Sequence, residues 1–364
     1  MLVKQLTAEH FRNLQTLCLQ PCEGCNVIVG QNAQGKTNIL EAIWLFTGSK
    51  SFRGAKDREL VELDRPEALL SMDFTAAGRE QKAELHIDKG RSFTLNGIRL
   101  ASPAKMAGHF CGIVFSPVHL QLVKDGPEAR RRFLDAAYCQ HRPGYVTVLG
   151  TYLRLLQQRN ALLKDARFHR DLEGLLDVFS EKLAAAGAQV WAARQAYVRS
   201  LTPVAAEIYG GISAEKEKMT LQYRSSVALP PQEEQWQACF LQALADNREQ
   251  DLACGSTGVG PHRDDLEIQI DAMPARTYAS QGQQRSAVLA LKLAEASLLQ
   301  QTTKEKPVAL LDDVMSELDP ARQEYILNHI LDWQVFITCC DPGPLLRMKS
   351  GQQFRIRQGR LLRE

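Results

Sequence analysis

The chain has 364 residues, of which 45% are hydrophobic and 24% charged, a composition typical of a globular protein. The formal net charge is only +2, so overall charge does not indicate nucleic-acid binding, and any basic binding surface must be local. No apolar run approaches the roughly 18 residues that span a bilayer. Lys4, Glu9 and Arg12 interrupt the stretch where a signal peptide needs an apolar core. We therefore expect a cytoplasmic protein without a membrane span.

Nine cysteines are scattered along the chain, which favours reduced thiols over a disulfide framework. Cys18, Cys22 and Cys25 form a C-x3-C-x2-C pattern that can also hold an iron–sulfur cluster. Cys18 lies in an alternating, strand-like stretch, and no fourth cysteine follows nearby. Free thiols in a hairpin are the favoured interpretation, and iron analysis would distinguish the two.

The first 116 residues are predicted to form short strands and one apolar helix. Strands are indicated by short apolar runs or by alternation of apolar and polar residues. Asn96-Gly97 follows the last alternating run and predicts a hairpin turn. The strands are expected at 16–20, 27–29, 69–74, 83–87, 92–95 and 113–115, and the helix at 39–46.

Helical periodicity replaces the strands from about residue 127 to 210. Residues 124–170, here called the basic segment, carry ten lysines and arginines against four acids, a local net charge of +6. A solvated helix face and a phosphate-contacting surface are both open interpretations. We expect the segment as a whole to contribute phosphate contacts. Beyond residue 250, strands are predicted at 266–270, 308–311 and 335–338, and an Ala- and Leu-rich helix at 286–300.

A complete G-x4-G-K-T phosphate loop lies between the first predicted buried strand and the first helix. Its glycines let the backbone N–H groups and the helix N-terminus face a phosphate. Lys36 is expected to reach the β- and γ-phosphates of ATP, and the Thr37 hydroxyl to bind Mg²⁺. The predicted nucleotide-binding residues of the loop are Gly30, Gln31, Asn32, Ala33, Gln34, Gly35, Lys36 and Thr37.

Two acids end the predicted buried strand 308–311. Beside a phosphate loop, Asp312 is expected to hold Mg²⁺ and Asp313 to orient or deprotonate the attacking water. Lys36, Asp312 and Asp313 are therefore the predicted catalytic residues, and Thr37 and Asp312 the predicted metal-binding residues.

Ser280-Gln281-Gly282-Gln283 precede a long predicted helix and resemble the S-x-G-Q signature motif of the ABC ATPase superfamily. In that superfamily the motif contacts the ATP held by the other subunit. The resemblance therefore implies that Ser280, Gly282 and Gln283 bind a γ-phosphate at a helix N-terminus, across an ATP-dependent homodimer. A plain helix N-cap at Ser280 is the alternative interpretation.

The opening Phe11-Arg12-Asn13 resembles the F-R-N motif shared by RecF and SMC-type proteins. The stretch between Lys36 and Ser280 is too short for the long coiled coils of the SMC proteins. Arg130-Arg131-Arg132-Phe133 and Gly260-Pro261-His262-Arg263 are similar to stretches of the RecF family. The chain therefore resembles that family from residue 2 to about 341, with His262 and Arg263 open to interpretation as a structural turn or a composite interface.

The resemblance implies an α/β fold, an ABC-type P-loop ATPase head with an inserted helical lobe. The head would comprise residues 1–116 and 250–364, and the lobe residues 117–249. Arg12 of the F-R-N motif joins the nucleotide-binding residues. The resemblance also implies ATP-driven dimerisation on gapped DNA, at duplex and single-strand/double-strand junctions, in recombinational repair and replication restart. RecO, RecR and RecA are the implied protein partners, with RecA loading as the outcome.

Two positions depart from the ABC pattern. Thr338-Cys339-Cys340 stands where the switch histidine is expected, and Asp313 stands in place of the longer glutamate. These departures indicate slow hydrolysis, suited to a timer. With the family resemblance, they imply a weak, DNA-stimulated ATPase. Two other classes stay open: a small-molecule phosphotransferase, which the S-x-G-Q motif disfavours, and an ATP-switched scaffold that binds protein or RNA.

Overall fold

The computed structural model describes residues 1–166, 173–340 and 351–362. Arg167 and Arg170 of the basic segment lie outside the described residues. Within the described ranges, no helix is long and apolar enough to cross a membrane.

The strands follow two burial patterns. β4 alternates between buried and more exposed positions, whereas all five residues of β12 are buried, as in a central strand covered on both faces. The strands are β1 (Leu2–Phe11), β2 (Leu14–Leu19), β3 (Cys25–Val29), β4 (Ala68–Ala76), β5 (Arg79–Ile87), β6 (Arg91–Leu95), β7 (Ile98–Arg99), β8 (Gly112–Phe115), β9 (Met219–Arg224), β10 (Asp265–Ile270), β11 (Met273–Pro274), β12 (Val308–Asp312), β13 (Val335–Cys339), β14 (Gly351–Arg357) and β15 (Arg360–Leu362).

The first helix is almost entirely enclosed, because eight of the ten residues of α1 are buried. A helix buried all round has a largely apolar sequence, as this one has. The helices are α1 (Lys36–Leu45), α2 (Gln121–Lys124), α3 (Pro127–His141), α4 (Tyr145–Ala166), α5 (Glu173–Ser213), α6 (Trp236–Asp246), α7 (Arg248–Cys254), α8 (Ala275–Tyr278), α9 (Gln281–Thr303) and α10 (Pro320–His329).

The chain divides into two compact units. The first comprises residues 1–120, 211–215 and 285–364, and the second comprises residues 121–210 and 216–284. This division differs from the predicted domain boundaries chiefly in residues 250–284, which belong to the second unit. They join it because β10 pairs with β9 along its whole length, and because Asp265 accepts a hydrogen bond of 2.6 Å from Arg130.

The first unit contains two six-stranded sheets. One is antiparallel with the order β2-β1-β4-β5-β6-β7, and the other has the order β15-β14-β3-β13-β12-β8. All neighbours in the second sheet are parallel except β14 and β15. Residues of α1 and of both sheets form one apolar core, which includes Leu40, Phe74 and Phe336. The carboxyl ends of β3, β13 and β12 share one edge of the parallel sheet, where ligands of α/β proteins bind.

The second unit is mainly helical and carries a small antiparallel sheet of order β11-β10-β9. Its core is aromatic: Trp191 packs against Phe240 with ring centroids 4.8 Å apart, and Tyr152 and Trp236 are buried beside them. Aromatic pairs at this separation stabilise a core beyond their buried area.

Most predicted elements are confirmed, with shifted ends. The hairpin turn at Asn96-Gly97 has φ values of 50° and 80°, as the favoured two-residue turns require. The helix predicted at 286–300 begins earlier, at Gln281. Strand β9 and the C-terminal hairpin β14–β15 were not predicted, since their sequences mix charged and apolar residues and only pairing with other strands decides their state.

Candidate nucleotide-binding site

The phosphate loop connects β3 to α1, the context that the motif requires. Gly35 caps the helix with a φ of 108°, a conformation that favours glycine. Lys36 is only 4% exposed. Its Nζ donates to the carbonyl oxygen of Gly30 at 2.7 Å and to that of Gln31 at 3.3 Å, and lies 3.2 Å from Cys340 Sγ. The Lys36 ammonium is thus held by the first two residues of the predicted loop.

The predicted metal-binding residues meet at the end of β12. The Thr37 hydroxyl donates a hydrogen bond of 2.7 Å to Asp312 Oδ1, and the Thr338 hydroxyl donates one of 3.1 Å to the same oxygen. Ser116 Oγ lies 3.4 Å from Asp312 Oδ2. Burial raises the pKa of the Asp312 carboxyl, while the hydrogen bonds from Thr37 and Thr338 act in the opposite direction.

These residues fit Mg²⁺. The ion prefers hard oxygen ligands, usually one or two carboxylates completed by water and phosphate. A buried carboxylate and a hydroxyl 2.7 Å apart provide such oxygens at the phosphate loop. The burial that raises the Asp312 pKa is a cost that a cation would offset. In the described part of the chain, no group of three or more His, Cys, Asp or Glu side chains could hold a metal ion, Cys18, Cys22 and Cys25 included.

Asp313 stands in an unusual backbone conformation directly after β12. Its φ is 50°, in the left-handed region that few residues other than glycine adopt. The backbone N–H of Asp313 donates to Thr338 Oγ1 at 2.9 Å, and Ser316 Oγ donates to the Asp313 carbonyl at 2.7 Å. Strained residues held by their surroundings concentrate at functional sites. Thr338 therefore connects both predicted catalytic acids.

The F-R-N motif is hydrogen-bonded to the loop and to α1. Arg12 donates through Nε and Nη2 to the two carboxylate oxygens of Glu41, each at 3.0 Å, and through Nη1 to the carbonyl of Glu59. Glu41 is fully buried. Asn13 Nδ2 donates to the carbonyl of Ala33 at 3.2 Å, and Asn13 Oδ1 accepts from Asn38 at 2.8 Å. Arg12 thus orders the loop surroundings through Glu41, and its contact with nucleotide stays a prediction.

The signature motif forms a capping box at the start of α9. The backbone N–H of Gln283 donates to Ser280 Oγ at 3.2 Å, and the backbone N–H of Ser280 donates to Gln283 Oε1 at 2.7 Å. Gln283 Nε2 also donates to Glu217 Oε1 at 2.9 Å, and Tyr209 donates to Glu217 Oε2 at 2.6 Å. Ser280, Gly282 and Gln283 belong to the second unit, and the phosphate loop belongs to the first.

The basic segment combines buried and exposed arginines. Arg159 is 2% exposed and donates to Asp251 and Thr257, each at 2.7 Å. Arg130 is 5% exposed and makes paired bonds to Asp265. These two arginines are held by acids inside the second unit, so the phosphate contact expected of the segment as a whole stays a prediction for its other cations. The exposed cations among the described residues of the segment are Lys124, Arg132, Arg142, Arg154 and Lys164.

His262 and Arg263 have structural contacts inside the second unit. The His262 ring bonds Tyr152 Oη at 2.7 Å and the Thr257 carbonyl at 2.9 Å. Arg263 donates to the same Thr257 carbonyl at 3.0 Å. Burial lowers the pKa of His262 to about 4, which keeps the ring neutral at pH 7. These bonds favour the structural-turn interpretation.

Sequence reasoning missed several residues that shape the site. Thr338, Ser116, Asn13 and Glu41 carry the bonds described above, yet none was given a role in the site, although Asn13 lies in the F-R-N motif and Thr338 in the stretch that replaces the switch histidine. A usable signal existed for Thr338, because polar residues at the carboxyl ends of neighbouring parallel strands meet at one edge. Glu41 carried a weaker one, as an acid in an otherwise apolar helix needs a partner.

The comparisons with known proteins agree with this geometry. A family model described as the RecF/RecN/SMC N terminal domain matches residues 2–360. The DNA replication and repair protein RecF of Lachnoclostridium phytofermentans is 37% identical over 363 residues, which cover 99% of each chain. That of Heliobacterium modesticaldum is 38% identical and covers 100% of this chain and 99% of its own.

Solved structures give the same result. A structure of the recombination mediator protein RecF-ATP in the RecFOR pathway is 38% identical, has a TM-score of 0.92, and is matched over 99% of this chain and 97% of its own. The Smc head domain of Pyrococcus yayanosii, at 14% identity and a TM-score of 0.55, covers 99% of this chain and 96% of its own, and shares the fold alone. The chain therefore belongs to the RecF family and has the ABC-type ATPase fold.

Proposed function

We propose that this protein is an ATP-gated DNA-binding protein of recombinational repair and replication restart. ATP drives its dimerisation on gapped DNA, where it helps RecA loading together with RecO and RecR. The observation that carries the proposal is the hydrogen bond to buried Asp312 from Thr37, the residue that follows Lys36 in the phosphate loop. The likeness to a RecF-ATP structure of the RecFOR pathway supports the nucleotide and the partners.

In this proposal the first unit binds ATP. Backbone N–H groups of residues 30–37 cradle the phosphates, and Lys36 exchanges its bonds to loop carbonyls for bonds to the β- and γ-phosphates. Thr37 and Asp312 would hold Mg²⁺, and the ion would supply neutralisation of phosphate charge during phosphoryl transfer. Asp313 orients the attacking water, with its backbone fixed by Thr338.

The second unit supplies the other half of the site to a partner copy. In the capping box, Ser280 Oγ accepts from the Gln283 N–H, so the hydroxyl proton can still be donated to a γ-phosphate. The N-terminus of α9 adds favourable partial positive charge. The exposed Ser280 lies where another copy could reach it. Nucleotide state would then set quaternary state.

Hydrolysis is proposed to be slow. Thr338 occupies the position of the expected switch histidine and bonds Asp312 and the Asp313 backbone. A threonine hydroxyl cannot exchange a proton near neutral pH as an imidazole does. We expect DNA-stimulated turnover well below about 10 s⁻¹, the median for enzymes, and a steady-state assay above that value would contradict the timer role.

DNA contact is proposed for the exposed cations of the basic segment. Arg132, Arg142 and Arg154 are exposed, in contrast to Arg130 and Arg159. Replacing all three by glutamine should weaken DNA binding and reduce the salt slope by about 3, roughly 0.9 for each lost phosphate contact. Arg79→Gln, an exposed change in the first unit, is the control. An unchanged slope in the triple variant would assign DNA binding elsewhere.

The direct test is molar mass by light scattering with a gapped duplex, with and without ATP. Wild type should become a DNA-bound dimer only with ATP, and Ser280→Arg should bind ATP but stay monomeric. Ser102→Arg places the same charge at another exposed serine, the N-cap of the short 3-10 helix Pro103–Met106, and should dimerise normally. Equal dimerisation of Ser280→Arg and wild type would contradict the role of the signature motif. Stimulation of ATP hydrolysis by RNA rather than DNA would favour the scaffold class.

A further inference from the structure

The C-terminal hairpin ends in a turn that touches the phosphate loop. Gln358 and Gly359 connect β14 to β15 with φ values of 50° and 73°, the two left-handed residues of a tight hairpin turn. The Gln358 N–H donates to Gln34 Oε1 at 2.6 Å, and the Gly359 N–H donates to the Gln34 carbonyl at 2.9 Å. The backbone N–H groups of both turn residues therefore donate to the same loop residue, Gln34.

The backbone of the hairpin lies in close contact with the chain on either side of it, at Asn13 and at Gly30. A Cβ added at Gly359 would lie 1.9 Å from the carbonyl oxygen of Asn13. At the start of the loop, a Cβ at Gly30 would lie 2.6 Å from the carbonyl oxygen of Ile356 in β14. The first five residues of β14 also pair in parallel with all of β3, with Arg355 opposite Val29. The hairpin thus lies beside β3, the strand that leads into the phosphate loop. Its turn has no space for a side chain at Gly359.

These bonds determine which way the loop peptides face. In a trans peptide, the carbonyl and the following N–H point in opposite directions. The Ala33 carbonyl is bound by Asn13 at 3.2 Å, and the Gln34 carbonyl is bound by Gly359. The Gln34 N–H therefore points away from Asn13, and the Gly35 N–H points away from Gly359. Phosphate loops bind their ligand through such N–H groups.

We propose that the Gln358–Gly359 turn is a positioning element for ATP binding: it fixes the peptide between Gln34 and Gly35 so that the Gly35 N–H faces the phosphates. The inference deepens the proposed function and rests on ATP binding at this loop. Both backbone N–H groups of the turn donate to Gln34, so the proposed action on the nucleotide passes through Gln34. Preorganised donors bind an anion more tightly because no ordering cost remains at the moment of binding.

The test compares two hairpin glycines. Gly359→Ala would lose both bonds to Gln34, whereas Gly97→Ala strains a turn of the same kind, with φ of 80° and nothing within 4 Å of the added Cβ. By titration calorimetry with MgATP, Gly359→Ala should raise the Kd about tenfold, which is roughly 1.4 kcal/mol. Gly97→Ala should stay within about twofold of wild type while losing stability in urea, because both turns require positive φ.

Two further variants keep the outcomes separate. Gln34→Met removes the acceptor for Gln358 without touching the turn, and should raise the Kd about threefold. It decides the question if Gly359→Ala does not fold. Lys36→Ala reports on the proposed function itself. If Lys36→Ala loses ATP while Gly359→Ala and Gln34→Met bind like wild type, the positioning role is wrong and ATP binding stands. If wild type and Lys36→Ala do not differ, the proposed function fails first.

Discussion

The phosphate loop and the basic segment are both predicted from the sequence to contact phosphate, but their cations have different surroundings. Lys36 is 4% exposed and is held by two backbone carbonyls, which carry no full charge. Arg159 is 2% exposed and is held by Asp251, a carboxylate that is itself fully buried. The first cation can move to a stronger acceptor when phosphate arrives, because carbonyl bonds are weaker than charge-assisted ones. The second is already neutralised.

This difference shows why a local excess of charge does not locate a binding surface. A buried arginine counts in the sequence like an exposed one, yet its charge is balanced inside the fold. Among the described residues of the segment, the positive charges that reach solvent are those of Lys124, Arg132, Arg142, Arg154 and Lys164. A binding interpretation is therefore better built on the partner of each cation than on the number of cations.

The largest expected effect is on the buried pair. Arg159→Met should lower the free energy of unfolding by about 3–5 kcal/mol, because Asp251 would be left buried without its cation. Urea unfolding followed by circular dichroism measures the change. Arg154→Met, on the exposed face of the same helix α4, should change stability by less than about 0.5 kcal/mol. An equal loss of unfolding free energy in the two variants would contradict a structural role for Arg159 that Arg154 lacks.

Lys36→Ala tests whether the ammonium of the phosphate loop, unlike the paired Arg159, is available to bind ATP. ATP affinity should fall about a hundredfold, because a charged hydrogen bond to phosphate is worth roughly 1.5–3 kcal/mol. Lys50→Ala, which removes an exposed lysine shortly after α1, should leave the Kd unchanged. Calorimetric titration with MgATP gives both values. A Lys36→Ala protein that binds ATP as tightly as wild type would show that this ammonium does not contact phosphate.

Asp312→Asn should separate stability from activity. Burial raises the pKa of Asp312, so the folded state binds the carboxyl proton more tightly than the unfolded state does. Wild-type stability therefore falls as pH rises from the pKa of the unfolded state through the raised pKa of the folded state. The asparagine variant lacks this loss and can still accept the hydroxyl bonds of Thr37 and Thr338. We therefore expect it to be the more stable protein at pH 8 and to lose ATP hydrolysis.

The stability gap between Asp312→Asn and wild type should close as pH falls. Urea unfolding at several pH values between about 4 and 8 measures it, since the unperturbed aspartate titrates near 3.9. A gap that widens toward low pH, or a less stable variant at pH 8, would contradict the raised pKa.

The smallest expected effect concerns Glu217, which accepts a hydrogen bond from Gln283 of the signature motif. Tyr209→Phe removes the 2.6 Å bond to Glu217, which also accepts from Gln283. The free energy of unfolding should fall by about 1 kcal/mol, the usual worth of one hydrogen bond. ATP affinity should not change, because these residues belong to the second unit and Lys36 to the first. A change in Kd without a change in stability would reverse this assignment.

Several features of the fold and site were predictable because their signals are local. The buried strand ending in Asp312 follows from a run of apolar residues, and the Asn96-Gly97 turn from two residues that tolerate positive φ. The start of α9 was harder to place, because Gln281 to Arg285 are polar and only the capping box of Ser280 and Gln283 marks the helix start. The hairpin β14–β15 escaped prediction because its stability comes from pairing with β3.

The sequence by itself determined the chemistry: a phosphate loop with Lys36 and Thr37, a strand that ends in two acids, and a capped helix carrying the signature motif. These are consequences of residue type and spacing along a few turns of chain. The tertiary structure decided which charges are exposed, which hydroxyls bond Asp312, and which turn contacts Gln34. Such choices depend on burial and on contacts between residues as distant as Gly359 and Asn13. Desolvation and close approach act in space, so no local pattern encodes them.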